Sequence, residues 1–231
     1  MIQLHYYPSN ASMIPHIVLE EMGVPFELVL VNRDVQAHKS AGYLKLNPNG
    51  LIPAMTDGDL VLYETAAICL HLADTHPQLG LAPAIGSNER AHFYKWLMWL
   101  TNTLQPSLIM YFYPDRYVAA GNAARAAEVK ALAQSRMGGM LQQLDDELAR
   151  VQAETLVAGN ATNSVTGSGW FMGAQYTVLD AYVFTLSRWT RGFSSHPARS
   201  YPHLGPYLQR MLVRPAVQRV MATEKVATPL V

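Results

Sequence analysis

The hydrophobic period of this chain changes once. As far as Pro77, segments that alternate at every second residue are interleaved with short helical ones, whereas from Glu89 onward only helical spacing recurs, so two halves of different class share one polypeptide. Ile2, Leu4 and Tyr6 alternate with Gln3 and His5 as a strand does, and Ser12 precedes Ile14, Ile17, Val18 and Met22 at helical spacing. Ser12 is the expected N-cap of that first helix. Pro15 falls where an opening turn tolerates its missing N–H, and Gly23 offers the left-handed position that ends the helix. Residues 26–31 form a second strand, and a single helix between two strands makes them parallel. Residues 32–45 are irregular and Asn47-Pro48-Asn49-Gly50 is a turn. Residues 53–56 are a strand opened by proline, and Asp57-Gly58 before Leu60–Tyr63 predicts an antiparallel hairpin. A compact helix over residues 66–74 completes the order of a thioredoxin-like layout with a mixed four-stranded sheet.

Beyond Gly80-Leu81-Ala82-Pro83 the pattern is helical. Leu97, Leu100, Leu104 and Leu108 share a face of a helix starting near Glu89, which Pro106 should bend or end. Residues 123–151 form a second long helix, whose Gly138-Gly139 pair lowers helix propensity by about 1 kcal/mol per glycine and suggests a close helix contact. Residues 159–169, rich in Gly, Ser, Thr and Asn, read as an exposed, mobile loop with no catalytic part. Thr177-Val178-Leu179-Asp180 is a capping box opening an apolar helix, so Asp180 is read as a capping acid rather than a catalytic one. The expected division is an α/β thioredoxin-like domain over residues 1–80, a linker over 81–88, and an all-α domain over 89–231.

Composition narrows the function. Seventeen acidic residues balance 17 basic ones, which removes the electrostatic case for nucleic acid or an anionic membrane surface. No apolar run approaches the roughly 20 residues of a membrane span, and the amino terminus reads as a strand rather than an export signal. The single cysteine, Cys69, permits no internal disulfide or cysteine metal cluster and sits among apolar helix neighbours, so it is assigned to packing. These features suit a cytoplasmic protein with a small-molecule or protein partner.

Three segments should converge at one edge of the sheet: residues 6–12, residues 51–53, and Glu64-Thr65. At the start of the first helix, unpaired N–H groups and the dipole end favour an anion such as a thiolate, and the Ser12 hydroxyl adds a donor, although a plain N-cap looks the same in sequence. Glu64-Thr65 opens the next helix with a carboxylate for an ammonium group, and with a hydroxyl and N–H groups for a carboxylate, although capping would also explain it. Ile52-Pro53 begins a strand, and a cis bond there would leave the Ile52 backbone open to an extended, peptide-like ligand.

The stretches Tyr6-Tyr7-Pro8-Ser9-Asn10-Ala11-Ser12-Met13-Ile14-Pro15-His16, Leu19-Glu20-Glu21-Met22-Gly23, Asn47-Pro48-Asn49-Gly50-Leu51-Ile52-Pro53-Ala54 and Leu62-Tyr63-Glu64-Thr65-Ala66-Ala67-Ile68 resemble the glutathione S-transferases, the bacterial beta class and its relatives in particular. The resemblance spans the chain and is most specific in the first half. It implies the glutathione transferase fold, glutathione as co-substrate without a metal, and thiolate attack on a hydrophobic electrophile between the halves of each subunit of a homodimer. It also implies that Ile52 binds the cysteinyl backbone beside a cis Pro53, that Glu64 and Thr65 hold the γ-glutamyl end, and that His38 and Lys39 approach the glycyl carboxylate. Two departures stand out. The class cysteine falls at Ala11 and the class histidine at Gln105, which argues against mixed-disulfide chemistry through a protein thiol. Ser12 is the leading sulfur-activating residue, with Tyr6 and Asn10 as alternatives. Tyr7, Tyr111, Tyr113 and Trp189 are the candidates for the electrophile pocket, Trp189 being also a candidate for simple packing. The rival functions are a non-catalytic glutathione-binding or scaffold protein and a glutathione-dependent disulfide reductase.

Overall fold

The computed structural model describes residues 1–157 and 169–231. The chain forms two compact units, one built from Met1–Ala82 and Arg210–Leu230, the other from Pro83–Gln209 and Val231. The C-terminal segment thus joins the unit of the amino terminus, unlike the linear division expected from the change of period.

The first unit begins with β1 (Ile2–Tyr6), α1 (Met13–Met22), β2 (Phe26–Leu30), a 3-10 turn (Ala37–Lys39) and α2 (Ala41–Leu44). It continues with β3 (Ala54–Asp57), β4 (Leu60–Tyr63) and α3 (Thr65–Thr75). The sheet order is β2-β1-β3-β4. β2 runs parallel to β1, and β3 runs antiparallel to β1 and β4. This is the mixed thioredoxin-like sheet that the pattern of periods predicts.

The α1 helix buries Met13, Ile14, Ile17, Val18 and Leu19 completely, each contributing about 1.5–3 kcal/mol. It ends at Gly23, whose φ of 65° lets its N–H reach the Leu19 carbonyl. Its start departs from expectation. Ser12 is helical, with φ −60° and ψ −19°, and its side chain caps nothing. The turn opens earlier, because Met13 N–H reaches the Asn10 carbonyl at 3.0 Å and Ile14 N–H the Ala11 carbonyl at 3.2 Å. In the hairpin Asp57 pairs with Leu60, so the two-residue loop is Gly58-Asp59, and Gly58 takes the positive φ of 56°.

The helical unit holds α4 (Asn88–Trp99), a π-helical segment (Leu100–Leu104), α5 (Gln105–Phe112), α6 (Ala123–Val157), α7 (Val178–Arg188) and most of α8 (Leu204–Leu212). The last helix, α9 (Pro215–Thr223), belongs to the first unit. Pro106 lacks an N–H for the α ladder, and the widened turn just before it absorbs the defect, with Gln105 N–H on the Leu100 carbonyl. The Gly138-Gly139 pair serves no close helix contact, since a Cβ at either position would meet nothing within 4 Å. Instead the Gly138 carbonyl accepts the Tyr201 hydroxyl at 3.0 Å. The loop expected over residues 159–169 lies, apart from Gly169, outside the described residues. Among the described residues no helix is long and apolar enough to cross a membrane.

The α7 helix carries the capping box that its sequence announces: Leu179 N–H donates to Thr177 Oγ1 and Thr177 N–H to Asp180 Oδ2 at 2.8 Å. The Asp180 carboxylate also accepts Phe171 N–H and the Tyr207 hydroxyl, each at 2.8 Å. Burial pushes its pKa up to about 6 against the pull of these hydrogen bonds. All its oxygens serve structure.

Candidate functional site

Sheet register explains why distant segments meet. His5 pairs with Ala54 and Ala54 with Tyr63, while Tyr6 pairs with Leu30 of β2. The chain leaves β1 and β4 and enters β3 at the same end of the sheet, and β2, parallel to β1, ends there too. The segments beyond this row are therefore neighbours in strand order: residues 33–39 after β2, residues 7–12 after β1, Ile52-Pro53 before β3 and Glu64-Thr65 after β4.

At β4, Glu64 has φ 71° and ψ 114°, a costly conformation for a residue with a Cβ. Its exposed carboxylate makes no capping bond, so the capping explanation of this acid fails. Thr65 is buried at the first position of α3, whose opening N–H groups point outward from the helix. At β3, the Ile52-Pro53 peptide is cis. The preceding Leu51 carbonyl is held twice, by the Tyr43 hydroxyl at 2.7 Å and Asn47 Nδ2 at 2.8 Å. The Ile52 side chain packs with Val31, Tyr43 and Ala54. Ladder pairing starts at Ala54, so the Ile52 N–H and C=O stand outside it.

After β1 the chain makes a tight turn in which Ser9 adopts φ 59°. Ser12 is fully buried, and its hydroxyl is engaged in both directions by one residue, accepting Tyr7 N–H at 3.2 Å and donating to the Tyr7 carbonyl at 3.0 Å. It closes the turn on itself. Among the described residues the N–H groups of Ala11 and Ser12 and the side-chain amide of half-exposed Asn10 meet no acceptor. The Tyr6 ring stands edge-on to buried His16 at 6.2 Å. Burial, and then the charge of Glu224, raise its pKa, so its phenol keeps its proton.

Beyond β2 lies a polar cavity of about 540 Å³ lined by Tyr7, Arg33, Asp34, Gln36, His38 and Lys39. The Tyr7 hydroxyl donates to Asp34 at 3.2 Å, within the polar lining of this cavity. Lys39 Nζ donates to the Asn49 carbonyl at 3.3 Å. The crossing of these two turns explains Gly50: at φ 60°, a Cβ there would lie 2.7 Å from Lys39 Nζ and 2.9 Å from the His38 carbonyl. Arg33, Asp34 and Gln36 were not singled out from sequence, although a charged pair directly after a strand that ends at the site edge is a usable signal.

In the helical unit, half-buried Tyr111 packs on Phe193 with the rings tilted and their centroids 4.5 Å apart, under the Lys130 ammonium, and Tyr113 lies beneath the Arg116 guanidinium at 4.0 Å. Trp189 is buried, edge-on to Phe112. Cys69 is fully buried and its thiol is pushed up by burial, which bears out packing over reactivity.

Residues 8–75 match the family model described as glutathione S-transferase, N-terminal domain. Glutathione S-transferase GstA of Escherichia coli O157:H7 is 27% identical over 225 residues, covering 96% of this chain and 98% of the relative. Glutathione S-transferase GST-4.5 of Xanthomonas campestris is 29% identical over 223 residues, covering 96% and 98%. Among solved structures, a sphingomonad glutathione S-transferase complexed with glutathione is 30% identical, covers 97% of this chain and 100% of its own, and superposes with a TM-score of 0.73.

Proposed function

The chain belongs to the glutathione S-transferase family, and on that premise we propose that it binds glutathione extended along the end of its sheet and presents the thiolate to a hydrophobic electrophile. Four strand ends stand in a row of three interstrand spacings, about 14 Å in all, room enough for the roughly 11 Å backbone of an extended tripeptide. The order supports the assignment of each part. Glu64 and the start of α3 receive the γ-glutamyl ammonium and carboxylate, the Ile52 backbone pairs with the cysteinyl unit, and Lys39, His38 and Arg33 attract the glycyl carboxylate.

For the sulfur, the unengaged donors favour Asn10 together with the Ala11 and Ser12 N–H groups. The Ser12 hydroxyl shapes the turn that gathers them, and it can turn to the sulfur only by giving up Tyr7. Tyr6, protonated but packed on His16, is the weaker donor. Bound glutathione supplies the nucleophilic thiol, and the chain supplies donors that hold it ionised for attack on an apolar co-substrate. A protein-thiol route to disulfide reduction is closed, since the only cysteine is buried. A cytoplasmic homodimer active in detoxification completes the proposal, and sedimentation tests the dimer.

The observation that carries the reading is the exposed, uncapping Glu64 carboxylate held at φ 71° at the edge where the four segments meet. Calorimetry with glutathione, followed by turnover on aromatic halides, epoxides and enals, tests it. Saturable binding with turnover is expected. Binding without turnover across the panel would favour a glutathione carrier, and no binding would leave only a scaffold.

A further inference from the structure

We propose that Glu224, just beyond α9, is a positioning residue for the sulfur-binding turn; this rests on the glutathione reading above. Its side chain is completely buried in a part of the chain more than 200 residues from the turn it serves. One carboxylate oxygen receives His16 Nδ1 of α1 at 2.8 Å, and the other receives the Ser9 N–H at 2.7 Å. A buried carboxylate is tolerated only when its oxygens are so occupied, and here the partners are the first helix and the turn itself.

Ser9 is where the turn most needs an outside hold. With φ 59° it occupies a left-handed conformation that a side chain disfavours, and that conformation brings Asn10, Ala11 and Ser12 round to the opening of α1. A charged acceptor on its N–H selects this state over the extended one.

The carboxylate is itself held in place. At the end of α9, Lys225 takes φ 49°, its N–H reaches the Ala222 carbonyl, and Val226 N–H reaches that of Met221, which fixes the helix terminus. Arg214 forms a forked pair with Glu21 at 2.6 and 2.7 Å, and Arg219 pairs with Glu20. Residues 214, 219 and 224 thus meet residues 21, 20 and 16 in turn, so α9 lies antiparallel on α1 and delivers Glu224 to the sulfur end. Tyr6 from β1 and His16 from α1 are the titratable groups beside the carboxylate.

The test measures the pKa of bound glutathione thiol by ultraviolet difference absorbance, with affinity by calorimetry and kcat alongside. In Glu224→Ala the thiol pKa should rise by about one unit and kcat near neutral pH fall about tenfold, while affinity changes less than about threefold. Glu224→Asp, too short to reach both partners, should move the pKa the same way if the alanine variant does not fold. Adding Ser9→Gly to either should recover much of the loss, because glycine adopts positive φ freely. Arg219→Ala, which loosens α9 at an exposed pair, should leave the thiol pKa unchanged. A wild-type thiol pKa in both Glu224 variants, an equal shift in Arg219→Ala, or no recovery with Ser9→Gly would overturn the proposal. Failure of the wild-type protein to bind glutathione would instead overturn the functional reading, and this inference with it.

Discussion

The helix openings at α1 and α3 look alike in sequence, each with a hydroxyl residue at its start, yet they are built in opposite ways. At α1 the Ser12 hydroxyl is buried and turned back on Tyr7, and the turn is held from outside by Glu224. At α3 the Glu64 carboxylate is exposed and caps nothing, on a backbone held at positive φ. The first uses its side chain to make a shape, while the second leaves its side chain uncapped, as the proposed ligand contact requires. The α7 opening supplies the reference, a true capping box in which Thr177 and Asp180 satisfy each other.

The largest effect is expected at that reference. Asp180→Ala leaves Phe171 N–H, Thr177 N–H and the Tyr207 hydroxyl without their buried acceptor, and should cost about 3–5 kcal/mol in denaturant unfolding. Because the folded Asp180 pKa is raised from 3.8 to about 6, the folded chain binds more protons in that window. Its contribution to stability therefore declines as pH climbs from about 4 to 6. Asp180→Asn should flatten that part of the stability profile, and an unaltered slope would refute the assignment.

Ser12→Ala comes next. Deprived of the hydroxyl, Tyr7 loses a donor and an acceptor, and the expected cost is about 1–3 kcal/mol of stability, read from the denaturant midpoint. A stable Ser12→Ala protein with a raised thiol pKa would reverse the contrast and return this serine to the sulfur.

Glu64→Ala should weaken glutathione binding by about 10–100-fold in calorimetry, the value of a charged hydrogen bond, with unfolding unaffected because the side chain caps nothing. Glu64→Gly should lose the same affinity while gaining about 1 kcal/mol of stability from relief at φ 71°. A loss of stability in both would mean that this carboxylate is structural after all.

The smallest effect separates the donors at α1. Asn10→Ala should raise the bound thiol pKa by about one unit and slow turnover about tenfold near neutral pH, with the melting temperature unchanged. If the thiol does not respond, Tyr6 and Ser12 become the candidates again.

Much of the fold was legible because it is encoded locally. Alternation at Ile2, Leu4 and Tyr6, the glycine at position 23, the Gly58 loop and the Thr177 to Asp180 box each act within a few residues, and the structure realises all of them. The register row through His5, Ala54 and Tyr63 follows from that order of elements, so the convergence of the site segments could also be expected.

Sequence by itself therefore determined the class of each half and which segments meet at one end of the sheet, since backbone periodicity and turn chemistry are short-range. Only the tertiary structure decided what the side chains there do. Whether Ser12 caps, donates or closes a turn depends on where the Tyr7 backbone lies, and whether Glu64 is free depends on a backbone angle imposed by the strand before it. No pattern of spacing marks Glu224 or places α9 on α1, because contacts across some 200 residues are chosen by packing and charge pairing after the local elements have formed.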